Sequence, residues 1–411
     1  MLATLGIVAI LAAQPSVTVR SPYLDAVRRY GPGTEREAIT ALQALRLRDA
    51  DQVFEELDDK LCAAVGMQGY GDPLGRNARV FYCLPQQLAE ASRESQQKLA
   101  ATWRRLYPRA VALHVEALAA CDPTADFDAM RFHLTVLLRL VVRIEQLAHE
   151  NRDIPPEFAR IATQGRHLTL WALQYLRDVN GLAAAVETFE SGKIRVLRSW
   201  SGAEPIRDVD VRLARGALEE LRAVPDAVAQ SVRARGLSDT FARDHMMAQE
   251  ERRLVEVAAR VYEALLDDHP ALLEAHLRLA RLELRLGRAE RAEAHLVRVA
   301  HLKPDARHAY LAAIFLADAY ERQGRIADAI AAYGVARQTW PGAQTPGIGL
   351  ARLHALSGAH DAARAALAGL HLDRPADAPE RSDPWMGYVG AQAWRLPVGI
   401  AALQASFEAE P

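Results

Sequence analysis

Apolar residues recur every three or four positions along most of this chain, the spacing that gathers them on one face of a helix. The pattern predicts helices over Tyr23–Tyr30, Glu35–Ala50, Asp51–Val65, Gln86–Leu106, Phe127–His149, Phe158–Asp178, Leu182–Phe189 and Val209–Arg222. Val, Ile and Thr never alternate with polar residues over a useful length, so strands are not expected. In the most apolar helix, Phe127–His149, Arg139 and Arg143 stand four apart on one face, which marks a buried helix with a polar edge. Pro155-Pro156 opens the next helix, because Pro is tolerated in a first turn. Gly66–Gly75 and Ser191–Asp208 break the periodicity and read as loops. The glycines of the first lack the Lys-Ser/Thr ending of a phosphate-binding loop.

After residue 250 the pattern repeats. With Gly287 as an anchor, Leu279 and Ala280 precede it by eight and seven residues, and Ala292, Leu296, Val299 and Pro304 follow at five, nine, twelve and seventeen. Gly324 has Leu316, Ala317, Ala329, Tyr333, Ala336 and Pro341 at the same offsets. Gly358 has Leu350, Ala351, Ala363, Leu367, Leu370 and Pro375. The second interval is 34 residues, and the first is 37, with an insertion near Arg307–Ala309. Small residues where two antiparallel helices cross, a Gly that permits a left-handed turn, and a Pro that ends the second helix make one helical hairpin. One hairpin cannot bury its apolar face alone, so the predicted fold is all-α, with helix-turn-helix units stacked into an α-solenoid.

These three units, 273–306, 310–343 and 344–377, resemble the tetratricopeptide repeat (TPR) family. A half-match lies upstream at Ala258, Tyr262, Leu265 and Pro270, with Arg253 in place of the turn Gly. A fainter echo runs through Ala26, Gly33, Glu37-Ala38-Ile39, Leu42 and Leu45. The family's bulky aromatic near the start of the first helix is replaced by His276, Ala313 and Gly347. The expected organisation is 1–13 signal peptide, 14–20 linker, 21–235 degenerate TPR-like hairpins, 236–377 TPR array, and 378–411 loop plus a helix capping the last repeat. Trp385, Tyr388 and Trp394 are the expected packing residues of that cap.

The resemblance implies a concave groove lined by the first helix of each repeat, which holds a partner segment. It places Leu277, Arg281, Leu284, Arg285, Asp318, Arg322, Ile348 and Arg352 there. It makes Gly287, Ala292, Pro304, Gly324, Ala329, Pro341, Gly358, Ala363 and Pro375 structural. Arginines among apolar side chains suit an acidic protein or peptide ligand. The Asn and Lys of the family's carboxylate-clamp variety are absent from these positions. The implied function is a non-catalytic protein–protein interaction scaffold, which the apolar N-terminal run assigns to the bacterial cell envelope. The alternative is an enzyme or assembly factor with its active region in 21–235 and the repeats as a recruiting arm.

Composition narrows the function further. Of 411 residues, 50% are hydrophobic and 25% charged, too apolar for intrinsic disorder. Lys+Arg of 50 against Asp+Glu of 52 gives a net charge of −2, short of the cation surplus that nucleic acid or an anionic membrane requires. Lys occurs only at Lys60, Lys98, Lys193 and Lys303, so nearly all the basic residues are Arg.

Leu2–Ala13 is a short apolar run ending in small residues. It is below the length of a spanning helix and within that of a signal-peptide core, though no basic residue precedes it. Export to the periplasm or beyond is expected, with a cytoplasmic location as the alternative. Under export, Cys62 and Cys83 could close a disulfide; otherwise Cys62, Cys83 and Cys121 are small buried hydrophobes. His295, His301 and His308 lack metal-ligand spacing, and no Gly-x-Ser-x-Gly occurs, so neither metal, cofactor nor catalytic residue is expected.

Overall fold

The computed structural model describes residues 21–45, 50–63, 67–70, 82–85, 93–121, 126–150, 156–190, 208–224, 227–229, 240–368, 370, 383–388 and 396–408. Nearly all of these are helical, and neighbouring helices pack on one another. The chain divides into two compact units. Unit 1 is 1–169 with 193–205 and 397–411; unit 2 is 170–192 with 206–396. The division falls within a helix, so unit 2 takes in segments after residue 169 that the sequence groups with the N-terminal region.

In unit 1, α1 (Pro22–Arg29) and α2 (Glu35–Ala44) form a short hairpin around Gly33. Ser21 caps α1 by accepting from the Leu24 N–H. Ala26, Ala38 and Leu42, three residues of the faint N-terminal echo, are buried. The helix expected over Asp51–Val65 is present over 50–63, where α3 (Ala50–Phe54) runs through a π-helical stretch (Glu55–Asp59) into α4 (Lys60–Ala63). Part of the expected Gly66–Gly75 loop is a strand: β1 (Met67–Tyr70) pairs antiparallel with β2 (Tyr82–Pro85), Gly69 opposite Cys83. The Cys62 and Cys83 side chains lie outside the described residues.

The longest element of unit 1 is α5 (Arg93–Ala119). It runs through Pro108 and past the expected end at Leu106, because Tyr107, Ala110, Val111, Leu113 and Val115 continue a buried face. Packing on that face outweighs the backbone hydrogen bond that Pro cannot make. The partner helix is α6 (Phe127–Glu150), which buries Leu134, Leu137, Leu140, Val141 and Ile144. Its polar edge is as the spacing predicts. Arg139 pairs with Asp51 and lies over Phe54, and Arg143 lies over Trp103. Two buried histidines, His114 of α5 and His133 of α6, meet Nδ1 to Nδ1 at 2.8 Å, and the Tyr23 hydroxyl lies 3.1 Å from His114 Nε2. The helix α7 (Pro156–Tyr175) begins at the predicted proline. Also in this unit, α18 (Leu396–Glu408) sends Gln404 Nε2 to Glu116 Oε1 at 3.1 Å.

Unit 2 holds α8 (Val179–Glu190), α9 (Asp208–Arg222) and α10 (Thr240–Asp268). The upstream half-match is not a hairpin, since α10 passes straight through Arg253. Without a Gly there, nothing favours the left-handed turn that divides the true repeats. Instead α9 packs beside α10.

Three helix pairs follow: α11 (Leu273–Arg285) with α12 (Ala289–His301), α13 (Ala306–Arg322) with α14 (Ile326–Thr339), and α15 (Gln344–Leu356) with α16 (His360–Ala368). Each helix packs on the next, and the first helices α11 and α13 also touch. The three turns are alike. Gly287, Gly324 and Gly358 have φ of +75°, +74° and +75°. In each, the N–H after the glycine donates to a carbonyl five residues back: Arg288 to Glu283, Arg325 to Tyr320 and Ala359 to His354. A side chain at that φ is strained, so Gly324→Ala is expected to cost about 1 kcal/mol. A urea midpoint unchanged from the parent would refute this.

Ala292, Leu296, Val299, Ala329 and Ala336 are fully buried, and Ala363 and Tyr333 nearly so; Leu367, in the last pair, is 49% exposed. The 37-residue interval lengthens α13 at its start, where Asp305 caps it by accepting from the His308 N–H at 2.9 Å. Where the aromatic is missing, the space is filled from elsewhere. A Cβ on Gly347 would come within 2.5 Å of Leu370, and His276 faces His295, Nδ1 to Nδ1, at 3.1 Å. Pro375 lies outside the described residues. Among those residues, no helix is long and apolar enough to cross a membrane.

Candidate functional site: the first-helix face of the array

The first helices α11 and α13 touch and carry charged and aromatic side chains at matching positions. Arg278 and Phe315 each stand nine residues before their turn glycine, so stacking brings them to equivalent places on α11 and α13. Arg281 and Asp318, six before, lie one turn further on, followed by Arg285 and Arg322, two before.

The groove residues chosen from sequence divide into two groups. Leu277 and Leu284 are fully buried between helices and line no groove, because their positions face α12 and the next pair. Arg281, Arg285, Asp318, Arg322, Ile348 and Arg352 reach the surface, with Ile348 52% exposed. The arginines are not a row of open cations, as each has an internal partner. Arg285 donates to the Glu251 carboxylate at 2.8 Å and to the Ala223 carbonyl at 2.9 Å. Arg322 donates to Asp318 at 2.8 Å and to the Leu284 carbonyl at 3.0 Å, and Arg352 pairs with Glu321.

The strongest constellation on this face was not legible in advance. The Arg278 side chain is 1% exposed. Its Nε donates to Glu274 at 2.8 Å, and its Nη1 lies 3.6 Å from Glu220 and donates to the Tyr388 carbonyl at 3.3 Å. The guanidinium sits 3.8 Å from the centre of the Tyr388 ring. Glu220, on α9, also accepts from the Tyr262 hydroxyl at 2.6 Å. Glu274 lies 3.3 Å from His308 Nε2 and 3.6 Å from Arg307.

These charges bias one another. Burial pushes the Glu274 carboxyl up, but Arg278, His308 and Arg307 together outweigh it and hold the group below the usual carboxylate range. Burial opposes protonation of His308, yet Glu274 and Asp305 raise its pKa. Burial, aided by Glu220, pushes the Tyr262 phenol up. The cluster is an ionic core in which Arg278, Glu274 and Glu220 are all buried.

Tyr388 belongs to α17 (Pro384–Tyr388), expected to serve in a cap on the last repeat. It lies instead against the first helices. Asp383 accepts from the Tyr310 hydroxyl at 2.6 Å and, through its other oxygen, from the Thr345 N–H at 3.0 Å. Phe315 meets Trp385 and Tyr388 edge-on, at 5.4 and 5.2 Å between ring centres. Arg281 lies over both rings, at 5.6 and 5.1 Å. The physical reason for the changed placement is that the first-helix face offers two cations and an aromatic, whereas the last pair offers the isolated apolar residues Leu356 and Leu367. Trp394 lies outside the described residues.

Residues 255–315 match the tetratricopeptide repeat family model, over the second half of α10, α11, α12 and the start of α13. No curated protein matches the chain. Among solved structures, a MamA mutant aligns at 17% identity over 45% of this chain and 90% of its own, with a TM-score of 0.29. The MamA RS-1 ArsTM double mutant aligns at 19% identity over 47% and 97%, also at 0.29. The matched segment and the three glycine-turned helix pairs agree: this chain carries tetratricopeptide repeats.

Proposed function

We propose that the protein is a non-catalytic scaffold that binds a protein or peptide segment on the first-helix face of its repeats, and that it works in the bacterial cell envelope. The observation that carries the binding role is the contact between the first helices α11 and α13, which brings Arg281, Arg285, Asp318 and Arg322 together, with Arg352 at the place on α15 that Arg281 and Asp318 hold on theirs. Their internal ion pairs do not preclude this. Exposed pairs such as Arg322–Asp318 contribute at most about 1 kcal/mol, so a partner's carboxylates can take over an arginine at little cost. A partly acidic segment fits this face best.

The test is affinity capture of the full chain with mass spectrometry. Arg281→Glu combined with Arg322→Glu is expected to lower recovery of face-dependent partners at least about tenfold, equivalent to about 1.4 kcal/mol. Unchanged recovery would sink the assignment of the face. The envelope location rests on the apolar run Leu2–Ala13. It predicts cleavage near Ala13 and recovery outside the cytoplasm, checked by N-terminal sequencing of the fractionated protein; an intact N-terminus in the cytoplasmic fraction would reverse it.

A further inference from the structure

The first-helix face is already occupied. We propose that the segment Asp383–Tyr388 is a built-in ligand of the repeat array, and that the partner it stands in for carries the same chemistry. That chemistry is an acidic residue followed two and five positions later by aromatic side chains. The proposal deepens the scaffold reading and rests on it.

Tyr388 is part of the array's buried core, yet the short segment that carries it reaches that core from outside the helix pairs. A helix of five residues is not stable alone, so side-chain contacts with the array hold α17 in place. Those contacts fall on three successive first helices. On α11, Arg278 and Arg281 cradle the rings of Tyr388 and Trp385. On α13, Tyr310 holds the Asp383 carboxylate and Phe315 meets both aromatics. On α15, the Thr345 N–H holds the other Asp383 oxygen. Spanning several repeats is what a bound peptide does on a solenoid face. The Asp383 carboxylate is held by a phenol and a backbone N–H, while the arginines of the face take the two aromatic rings.

The internal fit is incomplete. Tyr388 is fully buried, yet its hydroxyl has no hydrogen-bond partner among the described residues, which is unfavourable. A competing segment with Phe at this position, or with a partner for the hydroxyl, would bind the same cradle better. The segment therefore sets a threshold, since an incoming partner must outbid an intramolecular ligand whose effective concentration is high.

The experiment uses the full chain and a labelled peptide of residues 381–390, read by fluorescence anisotropy. Trp385→Ala with Tyr388→Ala empties the cradle, and this variant is expected to bind the peptide at least tenfold more tightly than the parent. Adding Arg281→Glu to the emptied variant should reverse most of that gain. Equal affinity for parent and emptied chain, with unchanged helix content by circular dichroism, would overturn the proposal. If the double variant does not fold, Asp383→Ala keeps both rings and cuts the two tethers to Tyr310 and Thr345. It should still raise peptide affinity several-fold, and no gain there also overturns the proposal. The two readings fail separately. Partner capture lost in Arg281→Glu/Arg322→Glu with equal peptide affinities removes only the built-in ligand. Capture that ignores those substitutions removes the scaffold face.

Discussion

Replacing Arg278 with alanine is expected to destabilise unit 2 by about 3–5 kcal/mol, the cost of removing one partner from a buried ion pair. The side chain is almost wholly removed from solvent and faces Glu274, Glu220 and the Tyr388 ring together. Without it, two carboxylates remain in a low-dielectric site. Glu274 keeps only Arg307 and His308 nearby, neither closer than 3.3 Å. Arg278→Lys should recover little of the loss, because a compact ammonium cannot contact both carboxylates and stack on a ring as a planar guanidinium does. Adding Glu274→Gln to Arg278→Ala should recover part of it, since an uncharged amide is cheaper to bury. Urea unfolding of the three variants is the measurement. A loss below about 1 kcal/mol for Arg278→Ala would mean that the network contributes geometry and not stability.

The same residue shows where sequence reasoning stops. The three turn glycines, the small residues at the helix crossings and the buried Leu296 are legible because each follows from local geometry repeated at a fixed interval. The first-helix face is only half legible. Periodicity places Arg281, Arg285, Asp318, Arg322 and Arg352 on it, but also Leu277 and Leu284, which face the neighbouring helices. The offset shared by Arg278 and Phe315, nine before the glycine, was available as a signal. What it could not show is that the chain returns 73 residues after Phe315 and 110 after Arg278 to lay Tyr388 on both. Nor could it show that Glu220 from α9 would balance the charge. These are long-range choices of one side chain among several surfaces, and no local pattern encodes them. The π-helical stretch inside the Asp51–Val65 helix and the β1–β2 pairing escaped for a related reason. Both depend on what packs against the segment, which overrides propensity in short elements.

Acidification is expected to weaken unit 1 through the His114–His133 pair. At 2.8 Å between the two Nδ1 atoms, one ring must donate and the other accept, so the two rings cannot both be protonated in this contact. Burial lowers the pKa of His114 well below the ordinary 6.5, helped by His133, and burial lowers that of His133 to about 4. A first proton places a charge in an apolar site beside Phe132. A second sets two N–H groups face to face. The sign follows from linkage. Groups whose pKa is lower in the folded than in the unfolded state contribute stability that is complete above about pH 6.5 and is lost as pH falls toward 4. At about 1.4 kcal/mol per unit of separation, His133 alone accounts for roughly 3 kcal/mol over that window. His133→Asn places an amide near the ring's Nδ1 and does not titrate. It should preserve the neutral-pH fold while making the fall in melting temperature between pH 6.5 and 4 markedly shallower. Contributions from the half-buried His276–His295 pair of unit 2 are common to both proteins and cancel in the difference. An acid limb with the same slope in parent and variant would show that protonation of this pair does not govern the loss.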